Sequence, residues 1–298
     1  MNPMALLRAL RPSQWSKNFF VLVALVFAAG EQESHVAEGA LVRVLVAFAA
    51  FCSAASAVYL LNDVLDVEKD RAHPEKRSRP IASGAVSVPQ ALSVALGLGL
   101  GGLALAYLST RGPAVVWVVA GYLALNVAYG LKLKSVVLVD AFCIAGGFLL
   151  RVQAGGLAAG VEISHWAFLC MLFLALFLAL AKRRAELALL GEDSHDHRPA
   201  LRHYTISFLD PMVAMLAACT VITYTMYTVD EETAAKFGED NHLAWTVPFV
   251  VFGIGRYMNL LQGERGGDDP TRMLLGKDPL FLVNTLLWTA VLAWAILG

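Results

Sequence analysis

The sequence has little charge and little cysteine. Only 16% of its 298 residues are charged, whereas 58% are hydrophobic. Its cysteines (Cys52, Cys143, Cys170 and Cys219) all lie inside apolar runs and form no CxxC pair. We therefore expect small packing residues there, with no disulfide framework and no zinc site. The longest polar connection, at 182–209, is too short for an independent soluble core.

The sequence also lacks the usual signatures of nucleic-acid binding and of several enzyme classes. The formal net charge is −1, without a basic tail or a basic stripe interleaved with aromatic residues, so we expect no nucleic-acid partner. No P-loop, dinucleotide fingerprint or Ser-His-Asp arrangement is found. The N-terminal bases precede an apolar stretch without a small-residue cleavage site, which predicts a retained span rather than a signal peptide.

Long apolar segments fill most of the chain and predict an all-α, polytopic membrane protein. Nine segments approach the length of about 20 residues that a membrane-spanning helix needs. They lie at 15–30, 40–61, 88–109, 113–130, 136–158, 165–181, 210–229, 243–262 and 279–297. We expect a single integral membrane domain over residues 1–298.

The distribution of lysine and arginine predicts which side of the membrane each connection faces. The N-terminus and alternate connections hold nearly all of these residues; the connections are 62–87, 131–135, 182–209 and 263–278. An excess of bases marks cytoplasmic segments, which predicts a cytoplasmic N-terminus and an extracytoplasmic C-terminus. The charged residues that follow would then lie at the cytoplasmic face of the plasma (inner) membrane.

The strongest site signal is a run of acids and bases at 59–84, directly after an apolar segment. On a helix, Asp63, Asp66 and Asp70 fall at roughly 0°, 300° and 340°, so their carboxylates share one narrow face. Like charges so placed repel unless a cation lies between them. Oxygen ligands alone, with Asn62 beside them, suit Mg²⁺ held against a substrate phosphate. The alternative is an ordinary solvated loop.

Two ionisable residues lie within the fifth apolar segment, where charge is costly. Asp140 and Arg151 are about three helical turns apart, roughly 16 Å, so each needs another partner. For Arg151 we favour a structural partner, a carboxylate or carbonyls on a neighbouring helix. The alternative is a helix break near Gly146–Gly147 that returns Arg151 to a substrate cavity.

Bases and histidines follow the sixth apolar segment. Taken alone, Lys182 and Arg183 are explained as cytoplasmic cations that set the orientation of the preceding span in the membrane. Glu186 lies one helical turn after Lys182 and could pair with it. Three histidines without metal-binding spacing are assigned to a solvated loop. They are His195, His197 and His203.

The motif NDVLDVEKD at 62–70 resembles the first aspartate motif, NDxxDxxxD, of the UbiA superfamily of intramembrane prenyltransferases. More specifically, the chain resembles the decaprenyl-phosphate phosphoribosyltransferase branch. The stretches that carry this resemblance are RPSQWSKN (11–18), NDVLDVEKDRAHPEKRSRPIASG (62–84), YGLKLKSVVLVD (129–140), GGFLLRVQAGG (146–156) and LFLALAKRRAEL (176–187). The resemblance implies nine helices bundled around a lipid-accessible cavity.

One departure from the superfamily is informative. Many members carry a second aspartate-rich motif after the sixth span, where this chain has KRRAEL at 182–187. Cations there suit one diphosphate with its metal and further bare phosphates. The resemblance therefore implies Mg²⁺-dependent transfer of 5-phosphoribose from phosphoribosyl diphosphate to a polyprenyl (decaprenyl-type) phosphate, with release of diphosphate. Such a product would serve cell-envelope glycans such as arabinogalactan.

This activity gives the charged residues roles. Asp63, Asp66 and Asp70 are the expected catalytic residues and, with Asn62, the expected metal ligands. The residues expected to bind substrate are Lys17, Tyr59, Lys76, Arg77, Arg79, Lys132, Lys134, Lys182 and Arg183. Membrane lipids are further expected partners, and homo-oligomer formation is left open. Two other functions stay open: a prenyltransferase that uses a polyprenyl diphosphate with an aromatic or other acceptor, and a transporter of a phosphorylated solute.

Overall fold

The computed structural model describes residues 3–25, 39–190, 201, 203–233, 242–262 and 278–297. All regular secondary structure in these ranges is helical, which confirms the all-α prediction. The α-helices are α1 Pro3–Leu10, α2 Ala40–Leu65, α3 Val67–Ala72, α4 Val88–Thr110, α5 Ala114–Leu131, α6 Val139–Ala159, α7 His165–Leu190, α8 Ile206–Val229, α9 Val247–Gln262 and α10 Pro279–Leu297. Shorter 3₁₀ helices cover Pro12–Val21, Lys76–Ser78, Leu133–Ser135 and Leu243–Thr246.

Seven of the described helices are long and apolar enough to cross a membrane: α2, α4, α5, α6, α7, α8 and α10. Each coincides with a predicted span. The segment predicted at 243–262 forms a 3₁₀ turn and then α9, whose 16 residues fall short of the roughly 20 that a span needs. The segment predicted at 15–30 lies partly outside the described residues. The count of nine spans therefore stays a prediction.

The chain divides into two compact units. Of the described residues, the first unit holds those within 3–134 and 147–162, and the second holds 135–146 and those from 163 onward. The division falls within α6, whose first turns belong to the second unit. The expectation of a single domain over the whole chain stays a prediction.

Small side chains let α2 and α4 pack closely in the first unit. Ala50 and Ala54 on α2 are fully buried. A Cβ on Gly102 of α4 would lie 3.1 Å from the Ala50 carbonyl oxygen and 3.3 Å from the Ala54 nitrogen, so glycine permits this approach. One polar contact supplements the packing, because Ser53 Oγ donates to the Leu98 carbonyl at 2.7 Å.

A buried arginine, Arg151 on α6, connects three elements of the first unit. Its Nε donates to Asn18 Oδ1 at 2.8 Å, its Nη1 to the Gly147 carbonyl at 2.8 Å, and its Nη2 to Tyr122 Oη at 3.0 Å. The guanidinium also lies 4.7 Å from the centroid of the Tyr122 ring, a favourable cation–π distance. Neutral oxygens and an aromatic face therefore surround this charge, and the expected carboxylate is not among these partners.

The alternative that a helix break returns Arg151 to a cavity is wrong. α6 runs without interruption from Val139 to Ala159, through Gly146 and Gly147. The partners from neighbouring elements are an amide and a phenol, and the carbonyl partner comes from the preceding turn of α6 itself.

Arginines also connect the helices of the second unit. Arg184 on α7 donates to Asp210 Oδ1 and to the Leu261 carbonyl, each at 3.0 Å, and so joins α7 to α8 and α9. Arg256 on α9 pairs with Asp278 at 2.6 Å, and the same carboxylate caps the N-terminus of α10. The hydrogen bond from Arg256 lowers the pKa of Asp278, so the carboxylate is charged at neutral pH.

Replacement of Arg151 by leucine should lower thermal stability, because Asn18 and Tyr122 would keep buried oxygens without a donor. A hydrogen bond to a charged group is worth about 1.5–3 kcal/mol. We expect a lower Tm in detergent and residual activity per folded molecule. Arg151→Lys keeps the charge and loses the planar fork, so its Tm should lie between those of Arg151→Leu and the unmodified protein. A folded but inactive Arg151→Leu protein with an unchanged Tm would contradict the structural role.

Candidate active site

The aspartate motif lies at the end of α2, where the helix is interrupted. Asp66 separates α2 from α3 and has φ −98° and ψ 10°, so the single helix assumed from the sequence is not continuous. Two backbone hydrogen bonds nevertheless cross the junction. The Asp66 N–H donates to the Asn62 carbonyl at 2.9 Å, and the Asp70 N–H to the Asp66 carbonyl at 2.8 Å. The helical phase of the motif is therefore largely kept.

Two of the aspartates are buried and share one arginine. Asp63 and Asp70 are each 4% exposed. Arg79 Nη1 lies 2.7 Å from Asp70 Oδ2 and 3.3 Å from Asp63 Oδ1. Arg11 Nη2 donates to the same Asp63 oxygen at 2.5 Å. These guanidinium groups supply the positive charge that carboxylates in helical phase require, and a buried carboxylate without it would be strongly destabilising.

The third aspartate, Asp66, forms a more open pair. Lys134 Nζ lies 3.1 Å and 3.2 Å from its two carboxylate oxygens. The Lys134 and Asp66 side chains are 29% and 30% exposed. Both groups stay partly hydrated, so this pair contributes less to stability than the buried ones.

Arg11 is held in an unusual conformation next to the motif. Its φ of 52° and ψ of 59° lie in the left-handed region, which is strained for an L residue with a side chain. Its guanidinium lies 5.1 Å from the centroid of the Tyr59 ring. The following 3₁₀ helix is fixed to α2 because Trp15 Nε1 donates to Ser56 Oγ at 3.1 Å. It is fixed to α6 by the bond between Asn18 and the buried arginine of that helix.

A glycine on α5 makes room for the first residue of the motif. Gly130 lies so close to Asn62 that a Cβ would overlap the Asn62 Oδ1 atom. The Asn62 side chain is half-buried in this position, one residue before Asp63. Any larger residue at 130 must therefore displace a predicted metal ligand.

The other residues predicted to bind substrate in the first unit lie nearby in sequence or on the surface. Lys76 and Arg77 form the 3₁₀ helix that precedes Arg79, and Arg77 is exposed. Lys17 and Lys132 are also exposed. Of the histidines assigned to a solvated loop, His203 is exposed, whereas the other two lie outside the described residues.

The donor atoms of the motif suit a hard divalent cation, since Asn62 and the three aspartates offer oxygen alone. Among the described residues, no three of His, Cys, Asp and Glu are grouped as a metal site. The aspartates instead face arginine and lysine partners. A cation that bound all three carboxylates would have to displace these partners.

Lys182 and Arg183, in the second unit, differ in their surroundings. Lys182 is exposed, whereas Arg183 is 1% exposed. Arg183 Nε lies 3.4 Å from Asp140 Oδ2, and its Nη1 pairs with Glu186. The predicted pair between Lys182 and Glu186 is therefore wrong, because the buried neighbour takes this carboxylate. The Arg183 Nε–H makes no hydrogen bond within the described residues, so its contact with Asp140 is an ion pair alone.

Tyr204 completes this cluster and was not found from the sequence. Its hydroxyl donates to Asp140 Oδ1 and accepts from the Leu138 N–H, each at 2.7 Å. Leu138 has a φ of 66°, a conformation that this contact helps to hold. Burial and then the hydrogen bond to Asp140 raise the pKa of Tyr204 far above its ordinary value, so the phenol stays neutral.

Comparison with known proteins bears on what these clusters do. Residues 18–189 match the model of the UbiA prenyltransferase family. The chain belongs to this family. It is 34% identical over 291 residues to decaprenyl-phosphate phosphoribosyltransferase of Corynebacterium glutamicum, covering 98% of this chain and 86% of the relative. It is 36% identical over 297 residues to the protein of the same name from Mycolicibacterium smegmatis, covering 98% and 92%.

Solved structures show that this UbiA-family protein shares the fold of other members. A UbiA homolog from Archaeoglobus fulgidus, bound to GPP and Mg²⁺, has a TM-score of 0.70 and covers 99% of this chain and 100% of its own. The two sequences are 18% identical, so the likeness speaks to the fold alone. It confirms the fold family that the aspartate motif predicted.

Gly130→Ala should displace the Asn62 side chain of this UbiA-family protein. Alanine favours the helix by about 1 kcal/mol, so a loss of function would come from the collision and not from helix propensity. We expect the affinity for Mn²⁺, measured by EPR on purified protein, to fall about tenfold, as for loss of about 1.4 kcal/mol. Gly121→Ala on the same helix is the control, because a Cβ there meets nothing within 4 Å. Equal Mn²⁺ affinities in the two variants would contradict the role of Asn62.

Proposed function

We propose that the chain transfers 5-phosphoribose from phosphoribosyl diphosphate to a polyprenyl phosphate of the decaprenyl type and releases diphosphate. The observation that carries this proposal is the identity of 34% and 36%, over 98% of the chain, to proteins named decaprenyl-phosphate phosphoribosyltransferase. The side chains of the site support it, because carboxylates and cations together suit a diphosphate and its metal.

In this proposal the aspartate motif holds Mg²⁺ through Asn62, Asp63, Asp66 and Asp70. UbiA homologs from Archaeoglobus fulgidus have been solved with Mg²⁺ and with Cd²⁺, which supports a divalent cation. When bound, Mg²⁺ would neutralise the charge that develops on the departing diphosphate. Tyr59 lies one turn before Asp63 and would contact the ribose or the diphosphate.

Cationic side chains would bind and orient the phosphates of the two substrates. The candidates are Lys17, Lys76, Arg77, Arg79, Lys132, Lys134, Lys182 and Arg183. An oxygen of the lipid phosphate would attack the anomeric carbon, with inversion, so that the protein needs no covalent nucleophile. Its contribution is to hold the two anions together and to exclude water from the reacting centre.

The cations in the last turns of α7 argue against prenyl transfer from a polyprenyl diphosphate. Lysine and arginine at 182–184 stand where a second carboxylate motif would hold a second metal. We further propose nine spans with a cytoplasmic N-terminus in the plasma membrane, since positive residues mark the cytoplasmic connections. The site would then lie on the cytoplasmic face, where phosphoribosyl diphosphate and Mg²⁺ are available.

Membranes containing the protein should transfer label from phosphoribosyl diphosphate to polyprenyl phosphate only when Mg²⁺ is present. Extraction of label into the organic phase measures this transfer. Asp66→Ala should lower turnover by at least about 10²–10³-fold, with the protein still folded in detergent. Glu68→Ala is the matched control, because Glu68 is exposed, pairs with Arg71 and is not one of the expected metal ligands. Near-normal turnover in Asp66→Ala would refute the metal assignment.

Lys182 and Arg183 should respond differently to replacement by glutamine. Loss of a phosphate contact by Lys182, worth about 1.5–3 kcal/mol, should raise KM for one substrate about 10- to 100-fold with kcat little changed. Arg183→Gln would also leave Asp140 buried without its cation, so we expect a lower Tm as well. Unchanged kinetics in Lys182→Gln would show that this lysine binds no phosphate and contributes only to membrane orientation.

A further inference from the structure

The carboxylates of the aspartate motif are balanced by an equal number of cations, which come from distant parts of the chain. Arg11 lies 52 residues before Asp63, and Lys134 lies 68 residues after Asp66. Arg79 reaches back to both buried aspartates. Within the first unit, these three cations match the three carboxylates in charge. These pairs depend on the tertiary fold and not on helix neighbours.

The two arginines form the outer layer of this arrangement. The side chains of Arg11 and Arg79 are 30% and 31% exposed, whereas those of Asp63 and Asp70 are 4% and 5% exposed. Lys134 and Asp66 are equally exposed, at 29% and 30%. A ligand that approaches the site from the surface would therefore meet all three cations, and one carboxylate, before it reaches the two buried carboxylates.

This layering disfavours either ligand alone. A divalent cation would have to displace positive groups and then lie beside them, and like charges in a partly desolvated site repel strongly. A diphosphate without a metal would have to compete with the carboxylates for the cations, and the carboxylates would repel it. A diphosphate with its metal meets both requirements, because the metal suits the carboxylates and the phosphate oxygens suit the displaced cations.

We propose that Arg11, Arg79 and Lys134 are exchangeable counterions of the aspartate motif. They neutralise the aspartates through the ion pairs described above, and they transfer to phosphate oxygens when a divalent cation occupies the carboxylates. This inference rests on the proposed function, from which it takes the diphosphate substrate. Metal and diphosphate then bind as a unit, and each raises the affinity for the other by the same factor.

Lys134→Gln provides the most direct test, since the exposed fraction of Asp66 keeps that carboxylate hydrated without its partner. The purified protein is titrated with Mn²⁺ alone by EPR, and with labelled phosphoribosyl diphosphate by equilibrium dialysis in EDTA or in saturating Mg²⁺. In the unmodified protein, Mg²⁺ should tighten phosphoribosyl diphosphate binding at least tenfold. In Lys134→Gln, Mn²⁺ alone should bind several-fold more tightly, whereas phosphoribosyl diphosphate with Mg²⁺ should bind more weakly.

These opposite shifts separate an exchangeable counterion from simpler roles. A structural lysine would weaken both ligands on removal, and a phosphate ligand without a carboxylate partner would leave Mn²⁺ affinity unchanged. Arg71→Gln removes the same charge from the neighbouring helix α3, where Arg71 forms an exposed pair with Glu68 and with none of the expected metal ligands. Its Mn²⁺ affinity should stay near that of the unmodified protein. Arg11→Gln, with its Tm measured alongside, should repeat the opposite shifts if it folds.

Two results would overturn the inference. Mn²⁺ affinity that is unchanged or weaker in Lys134→Gln excludes the exchange at Asp66. An equal gain in Lys134→Gln and Arg71→Gln shows a general electrostatic effect. The proposed function can fail independently of this inference. If the metal and phosphoribosyl diphosphate bind together but no label reaches the lipid, the proposed reaction is refuted and the counterion exchange stands. If label is transferred but the two affinities do not shift in opposite directions, the exchange is refuted and the reaction stands.

Discussion

The arrangement of the first unit depends on the need to neutralise carboxylates at the end of an apolar helix. Asp63 and Asp70 are buried, and a buried charge without a partner costs several kcal/mol. Arg79 and Arg11 meet this need only because two other segments of the chain reach the end of α2. The same requirement that stabilises the fold therefore gathers cations where an anionic substrate would need them.

The position of Arg11 depends in turn on a second buried charge. Arg151 has no carboxylate among the partners that the structure gives it; it donates to Asn18, in the 3₁₀ helix that begins directly after Arg11. Trp15, which donates to Ser56, fixes the same helix to α2. A strained backbone at Arg11 is tolerated because these contacts over-determine the segment. An arginine deep in α6 thus supports the conformation of a residue in the site.

The sequence predicted local features well and long-range pairs poorly. The seven long apolar helices and the shared phase of the aspartates follow from composition and spacing. Nothing local could indicate that Arg11 would meet Asp63, since 52 residues separate them. Tyr204, 64 residues from Asp140, was missed for the same reason. Spacing alone allows Glu186 to pair with Lys182 or Arg183, because both i,i+3 and i,i+4 neighbours are in reach on a helix. In the structure Glu186 pairs with the buried Arg183.

A small apolar cluster explains why two arginines converge on one carboxylate. Ala5 and Ala9 of α1 pack with Leu60 of α2 and with Ile81 and Val86 of the segment after the motif. Burial of these side chains fixes α1 and that segment against the same end of α2. Arg11 follows α1 directly, and Arg79 precedes the buried Ile81 by two residues. Apolar packing therefore brings both arginines to Asp63, where the burial of the carboxylate requires their charge.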